Sequence, residues 1–318
     1  MAVNHSLKFT NPKGIEVLFG IESALGNATL DTSWNSDYYK LPIIAPPTIL
    51  NQSADLDIGG DQSGVFIVNS NNTKSRKERQ MYEFELQMQG TNAIADLFTK
   101  ALFKGSATLS NEFSPPLMQH NYAHTSSSNA SAVILLKGVN AGSSRDQKLK
   151  GCICTGITVS HSIDSNGGFP LVTAKFVTGY KLTDFDGVSD GTITNISDST
   201  SSTLVHLVNL TIARVGDVTD ADCDVFLYGY ELNVSRTIER VGYSGADFDP
   251  EGYVQTGRFD VNGNATFKRD DSTLANIQTY GNSNAMAGFL FQNGSGYDVE
   301  VKGKISSSSN AVADDGLR

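Results

Sequence analysis

The stretch GRFDVNGNATFKRDDSTLANI, residues 257–277, alternates along its first half. Phe259, Val261, Gly263, Ala265 and Phe267 fall on one side of an extended chain; Arg258, Asp260, Asn262, Asn264, Thr266 and Lys268 fall on the other. A period of two is the mark of a half-buried strand. Asp270, Asp271 and Ser272 then interrupt it, and Leu274, Ala275 and Ile277 follow at helical spacing, so the Asp/Ser cluster is a helix N-cap. The apolar side belongs in a core. The polar side, led by Arg258, Asp260, Asn262 and Asn264, faces either water or a neighbouring subunit.

The same order occurs earlier. In MYEFELQMQGTNAIADLFTKALFKG, residues 81–105, Tyr82, Phe84, Leu86 and Met88 alternate with Glu83, Glu85, Gln87 and Gln89. Thr91 or Asn92 can cap a helix that carries Ile94, Leu97, Phe98, Ala101 and Leu102 and ends near Gly105. Further strands are predicted at 15–26, 132–139, 151–163, 170–180, 204–214 and 225–238, with a last hairpin turning at Asn293-Gly294. The acidic, Ser/Thr-rich run DFDGVSDGTITNISDSTSS, residues 184–202, divides the chain into units 1–185 and 186–318. Short likenesses link the two: TVSHSID (158–164) with NVSRTIE (233–239), VLFGIES (17–23) with FLYGYEL (226–232), and AKFVTG (174–179) with GRFDVNG (257–263). Duplication of one strand-plus-helix unit accounts for them, and so does chance among strands of biased composition.

Between Asn27 and Gln80 lies a long polar stretch holding Trp34, Tyr38, Tyr39, Ile43 and Ile44. These are too apolar for a free linker, so the loop either folds back on its own domain or docks on a neighbouring subunit. The tail SSSSNAVADDGLR is a loose terminus or an arm ordered on assembly.

A chain of 318 residues with 18% charged side chains, rich in Ser, Thr, Asn and Gly, is expected to be β-rich with many turns. Its net charge of −10 excludes a basic surface that grips nucleic acid, although repulsion is useful in a conduit. Cys152, Cys154 and Cys223 form no disulfide framework and are expected as small buried apolar residues. Asn27, Asn129 and Asn233 head Asn-X-Ser/Thr triplets, but no apolar signal segment opens the chain and AVILL at 132–136 is far too short to span a bilayer. The expectation is an intracellular product without a membrane address.

Signs of chemistry are few. His120 and His124 are four apart, yet Pro115 and Pro116 disfavour the helix that would aim both at a zinc ion, and no third ligand is apparent. DFDGVSDG and DVTDADCD have the acidity of calcium loops without their ligand spacing. Ser244 in GYSGA lacks the setting of a nucleophile elbow, and no phosphate-binding loop occurs. SRKERQ at 75–80 is the one basic cluster, expected as a solvated turn or an intersubunit ion pair. No enzyme, metal or cofactor is expected.

Taken together, GIESALG after the first strand, the long loop, YEFELQMQG with its helix, GCICTGITVSHSID with GGFPLVTAKFVTG, then GYELNVSRTIE, GRFDVNGNATFKRDDSTLANI and FLFQNGSGYDVEVKGKI resemble, in order, the tail tube (major tail) proteins of long-tailed bacteriophages. The resemblance implies a mainly β fold of tail-tube-type sandwich or barrel units with short flanking helices, here one unit or two in tandem. It implies a structural virion protein, made in the host cytoplasm, whose rings stack into a hollow tube for DNA ejection. A hexamer, or a trimer of paired units, would form each ring, with tape-measure and tail-tip proteins as further partners and DNA passing through without sequence-specific binding. Glu83, Glu85, Gln87, Arg258, Asp260, Asn262 and Asn264 would then line the lumen or an interface, and the 27–80 loop would lock ring to ring. A tail-tip or tail-completion ring with the same fold is the alternative, and a carbohydrate- or host-binding β module, using Trp34, Tyr38 and Tyr39, is the alternative of a different class.

Overall fold

A computed structural model of the chain describes residues 16–27, 29–31, 38–45, 47, 50–52, 56–60, 73–77, 81–91, 94, 97–98, 101–102, 130–137, 146–185, 193–195, 204–217, 221–242, 249–257, 259–268, 275, 279, 287–293 and 297–303. The first half contributes β1 (Glu16–Ile21), β2 (Tyr38–Leu41), β3 (Leu50–Gln52), β4 (Leu56–Gly60), β5 (Thr73–Lys77), β6 (Met81–Gln89), β7 (Ser131–Lys137), β8 (Asp146–Ser162), β9 (Leu171–Thr178) and β10 (Thr183–Phe185). After these come β11 (Ile193–Asn195), β12 (Ile212–Gly216), β13 (Leu227–Ser235), β14 (Ile238–Val241), β15 (Gly252–Gln255), β16 (Asp260–Phe267), β17 (Ala287–Asn293) and β18 (Tyr297–Gly303). The fold is mainly β, as the alternating runs predict.

β8 organises the sheet. At 17 residues it is about 55 Å long, more than one neighbour can cover. On one edge its first part pairs with β7, ending at Ser131↔Ile153, and its last part pairs with β13, starting at Ser235↔Gly156. On the other edge it pairs with β10 and then β9. The sheet therefore forks: β7 leads on to β1, β2 and β11, while β13 leads on to β16, and β9 leads on to β6 and β3.

The fork is plugged by Arg236, whose backbone N–H donates to the Thr155 carbonyl at 2.8 Å and whose Nε donates to the Cys154 carbonyl at 3.0 Å. These two carbonyls lie where β7 has ended and β13 has not begun. Burial lowers the Arg236 pKa to about 10, so it stays charged at neutral pH, and its guanidinium lies 5.6 Å from the Phe259 ring centroid.

One core runs under both branches. Phe84, Leu86, Met88, Val172, Ala174 and Phe176 turn inward and meet Phe19 of β1 and Phe98, one of the helical residues that follow β6. Thr91 caps that helix, its Oγ1 accepting from the Ile94 N–H at 3.3 Å, and Ile94, Leu97, Phe98, Ala101 and Leu102 are all buried, as their spacing predicts. Under β13 and β16 the cover is a second sheet, β12-β17-β18. Tyr230 stacks on Phe291 at 4.5 Å, and Phe289 stacks on Phe291 at 4.8 Å. β1 and β7 are buried on both faces; Leu18, Leu30, Tyr38, Val133 and Leu135 form a smaller cluster on the far side. All three cysteines are buried and none is in a disulfide, as expected.

Two expected loops contain strands. The 27–80 stretch holds β2, β3 and a β4–β5 hairpin that pairs only with itself among the described residues, and Ser75, Arg76 and Lys77 of SRKERQ are strand residues opposite Ile58, Asp57 and Leu56 rather than a turn. The 184–202 seam contains β11, which pairs in parallel with β2, while β10 at its start pairs with β8. The last hairpin forms, and its Asn293↔Tyr297 pair moves the connection to residues 294–296.

The early Glu-and-Gly turn is held by Glu22, a buried carboxylate. It accepts from the Gly151 N–H at 2.8 Å and the Gly26 N–H at 3.0 Å. Burial raises its pKa, and these hydrogen bonds, with one from Ser131, oppose the rise. Gly151 sits at a bulge of β8 with φ +60°, and a Cβ there would lie 2.3 Å from the Tyr180 ring. Gly151→Ala is expected to cost at least about 2 kcal/mol, from the left-handed backbone and the clash together. Urea unfolding of the purified variant measures it.

Candidate functional site: a polar sheet face

The two polar strand faces singled out in the sequence lie on one side of one sheet. β6, β9, β8, β13 and β16 are adjacent in that order, with β6 and β16 at its two sides. Register aligns their outward residues in rows across all five strands. One row is Glu85, Lys175, Gly156, Ser235 and Asp260; the next is Gln87, Thr173, Thr158, Asn233 and Asn262; a third is Gln89, Leu171, Ser160, Glu231 and Asn264. The residues between them, such as Leu86, Ala174, Ile157, Val234 and Val261, face the core.

This face is made of amides and hydroxyls with few charges. Thr158 Oγ1 donates to Asn233 Oδ1 at 3.1 Å, linking neighbouring strands. Lys175 and Glu85 pair at 3.4 Å, both about half exposed, so the pair contributes little to stability. Glu83, Glu231 and Asp260 are exposed as well, so among the described residues these four acids outweigh Lys175 and, just past β16, Lys268, and leave the face mildly negative.

Of the predicted residues, Glu83, Glu85, Gln87, Asp260, Asn262 and Asn264 all lie on this face, and Arg258 falls outside the described residues. The three strands between them are ones the sequence predicts, at 151–163, 170–180 and 225–238, but their place between the two polar strands is not legible there. Their alternation, LVTAKF, GITVSHS and YELNVS, was visible, but nothing in it says that they intervene.

The face has one covered side and one open side. Beside β6, the Ile44 N–H donates to the Gln87 carbonyl at 2.9 Å, Ile43 bridges to Met88, and β3 pairs with residues 81–83. Beyond β16, no strand pairs among the described residues. Which backbone groups face outward there follows from the ladder. The Ile163 N–H donates to the Tyr228 carbonyl and the Arg236 N–H to the Thr155 carbonyl, so even-numbered residues of β13 bond to β8 and odd-numbered ones to β16. Their partners on β16 are Asp260, Asn262, Asn264 and Thr266. Val261, Gly263 and Ala265 therefore turn their N–H and C=O groups to the open edge.

The aromatic loop residues belong elsewhere. Tyr38 is in β2 and only 1% exposed, packed with Leu18 and Val133, so it is not available to a neighbouring subunit or as a sugar platform. Tyr39 and Ile43 lie half-buried against the chain's own core, because pairing of β2 with β1 draws this segment onto the sheet. Ile44 remains 48% exposed, and Trp34 lies outside the described residues.

Among the described residues, no three His, Cys, Asp or Glu side chains gather as a metal site. His120, His124 and Ser244 lie outside them. In DVTDADCD, Asp224 is taken by Arg214 at 2.7 Å, an ion pair rather than a ligand set. No described helix is long and apolar enough to cross a membrane. No protein-family model matches this chain, and no curated protein matches it.

Proposed function

We propose that this chain is a structural virion protein whose copies close into rings and stack as the hollow tail tube of a long-tailed phage, with the five-stranded polar face as the lumen wall. That face carries the reading. A conduit for DNA needs a hydrated surface that offers phosphates no cationic hold, and a wall of Ser, Thr, Asn and Gln with a slight negative excess meets that need. The edge of β16 supplies a reason to assemble, since an eight-residue edge strand without proline or lysine is a template for another chain. A two-stranded hairpin such as β4–β5 is marginal alone, and docking on the next ring would stabilise it.

Strand spacing favours six copies. Six five-stranded sheets closed side by side give a backbone circle about 46 Å across at ~4.8 Å per strand. Three copies give about 23 Å, or about 36 Å with a 40° strand tilt and the β3 segment beside β6 counted in each wall, a tighter fit for a hydrated duplex than the ring of six. Tape-measure and tail-tip proteins would be the partners inside and at the end of the tube.

Electron microscopy of the purified protein, with its native mass, tests the proposal. Stacked hollow tubes with sixfold end views are expected. Isolated rings that never stack would assign it to the tail tip instead, and a monomer at every concentration would overturn both ring roles.

A further inference from the structure

Opposite the open edge of β16, the strand that a second copy would meet is not β6. The Gly90 N–H donates to the Pro170 carbonyl and the Ile44 N–H to the Gln87 carbonyl, so even-numbered residues of β6 bond to β9 and odd-numbered ones turn outward. Those outward groups are already taken near both ends of β6. Ile44 bonds at Gln87, and by the same parity Leu50 and Gln52 bond at Glu83 and Met81. Residues 43–44 and 50–52 thus run along β6 as a sixth strand in two pieces, separated by residues 45–49 with their two prolines. Asn51 lies between the two bonded residues of β3, so its N–H and C=O turn away from β6, and no strand pairs beyond β3 among the described residues.

We infer that copies join by antiparallel pairing of one copy's β16 edge with the next copy's 43–52 segment, a joint that rests on the ring assembly proposed above and names its receiving strand. Strand direction supports it. From β6 through β9, β8 and β13 to β16 there are four antiparallel steps, so β6 and β16 run the same way. A neighbour's β16 laid on β6 itself would pair in parallel, whereas the 43–52 segment runs opposite to both. Antiparallel pairing is the rule throughout this sheet apart from β11 with β2, and it is the slightly more stable kind. Outward backbone groups stand ready on each border, at Val261, Gly263 and Ala265 on one and at Asn51 on the other. Register sets Ile44 beside Gln87 on the polar face, and of the large hydrophobic side chains exposed among the described residues it alone stands at this border. The two borders differ, so the contact is heterologous, and each copy offers one of each kind until the circle closes.

Blocking each border separately tests the joint. Asn51→Pro removes the outward N–H of β3 and takes no bond from β6, and it holds Leu50 in the extended region that the strand already uses. A folded, β-rich species of single-chain mass is expected, as it is for Ala265→Pro at the β16 edge. Mixed in equal amounts, the two variants should form a 1:1 heterodimer and nothing larger, because only one joint between them is intact. Native mass spectrometry reads this, at concentrations well above those at which wild-type rings form. Rings of wild-type mass from either variant would overturn the inference and leave ring assembly standing, and two monomers that do not pair on mixing would overturn it as well. A wild-type chain that is monomeric throughout would remove the ring assembly and the joint with it. Should Asn51→Pro not fold, hydrogen exchange decides. The Asn51 amide should exchange at least about tenfold more slowly in wild-type rings than in Ala265→Pro monomers, and equal rates refute the joint.

Discussion

Phe176→Ala is expected to lower the free energy of unfolding by about 3–5 kcal/mol, the largest loss from any single truncation of this core. Phe176 is 1% exposed and lies where three elements meet. It stacks on Phe84 of β6 at 5.6 Å and 13°, and lies 5.9 Å from both Phe19 of β1 and Phe98 of the helix. Removing the ring deletes its own transfer free energy and leaves a cavity that sheet and helix cannot both close, because β9 is fixed by β6 and β8 on either side. Phe176→Leu keeps most of the volume and should cost roughly half as much. Urea unfolding followed by fluorescence gives both values. A loss below about 1 kcal/mol for the alanine variant would mean that helix and sheet are not packed as one core.

How far the sequence anticipates this arrangement depends on the element. Strand β6 is legible to the residue, because its inward and outward residues differ in kind and Thr91 follows at the capping position. β16 is equally plain: Phe259 is buried, Val261, Ala265 and Phe267 pack inward, and Asp260, Asn262, Asn264 and Thr266 are exposed. Period-two alternation reports a face, and both faces are found where the alternation puts them.

Alternation carries no information about which strands are neighbours. Nothing in GCICTGITVSHS says that β8 changes partner from β7 to β13 near Thr155, since that fork depends on where distant strands end. Tyr38 was open to misreading for a related reason. Four residues of β2 are too few to show a period, and aromatic residues in a polar stretch are consistent with an interface or with burial. Only pairing with β1 decides, at Leu18↔Lys40 and Phe19↔Tyr39. Seen as one sheet, Glu85 and Asp260 are no longer two separate guesses. They end the same row, with Lys175, Gly156 and Ser235 between them.

Ala265→Pro is expected to abolish ring formation while leaving a folded subunit, the largest functional effect of any single substitution proposed for the open edge. The ladder assigns the Ala265 N–H to that edge, so proline removes a group that a neighbouring copy would need and takes nothing from β13. Proline is tolerated in edge strands at such outward positions, and it holds the preceding Asn264 in the extended region the strand already uses. Asn264→Pro is the opposed control. Its N–H belongs to the Glu231↔Asn264 pair, so proline there breaks the β13–β16 ladder and should cost about 3 kcal/mol or more of stability. Native mass and circular dichroism separate the outcomes: Ala265→Pro should give a β-rich species of single-chain mass, and Asn264→Pro a destabilised chain. If Ala265→Pro instead forms rings of wild-type mass, the β16 edge is not the joint between subunits, and ring closure has to come from packing of side chains.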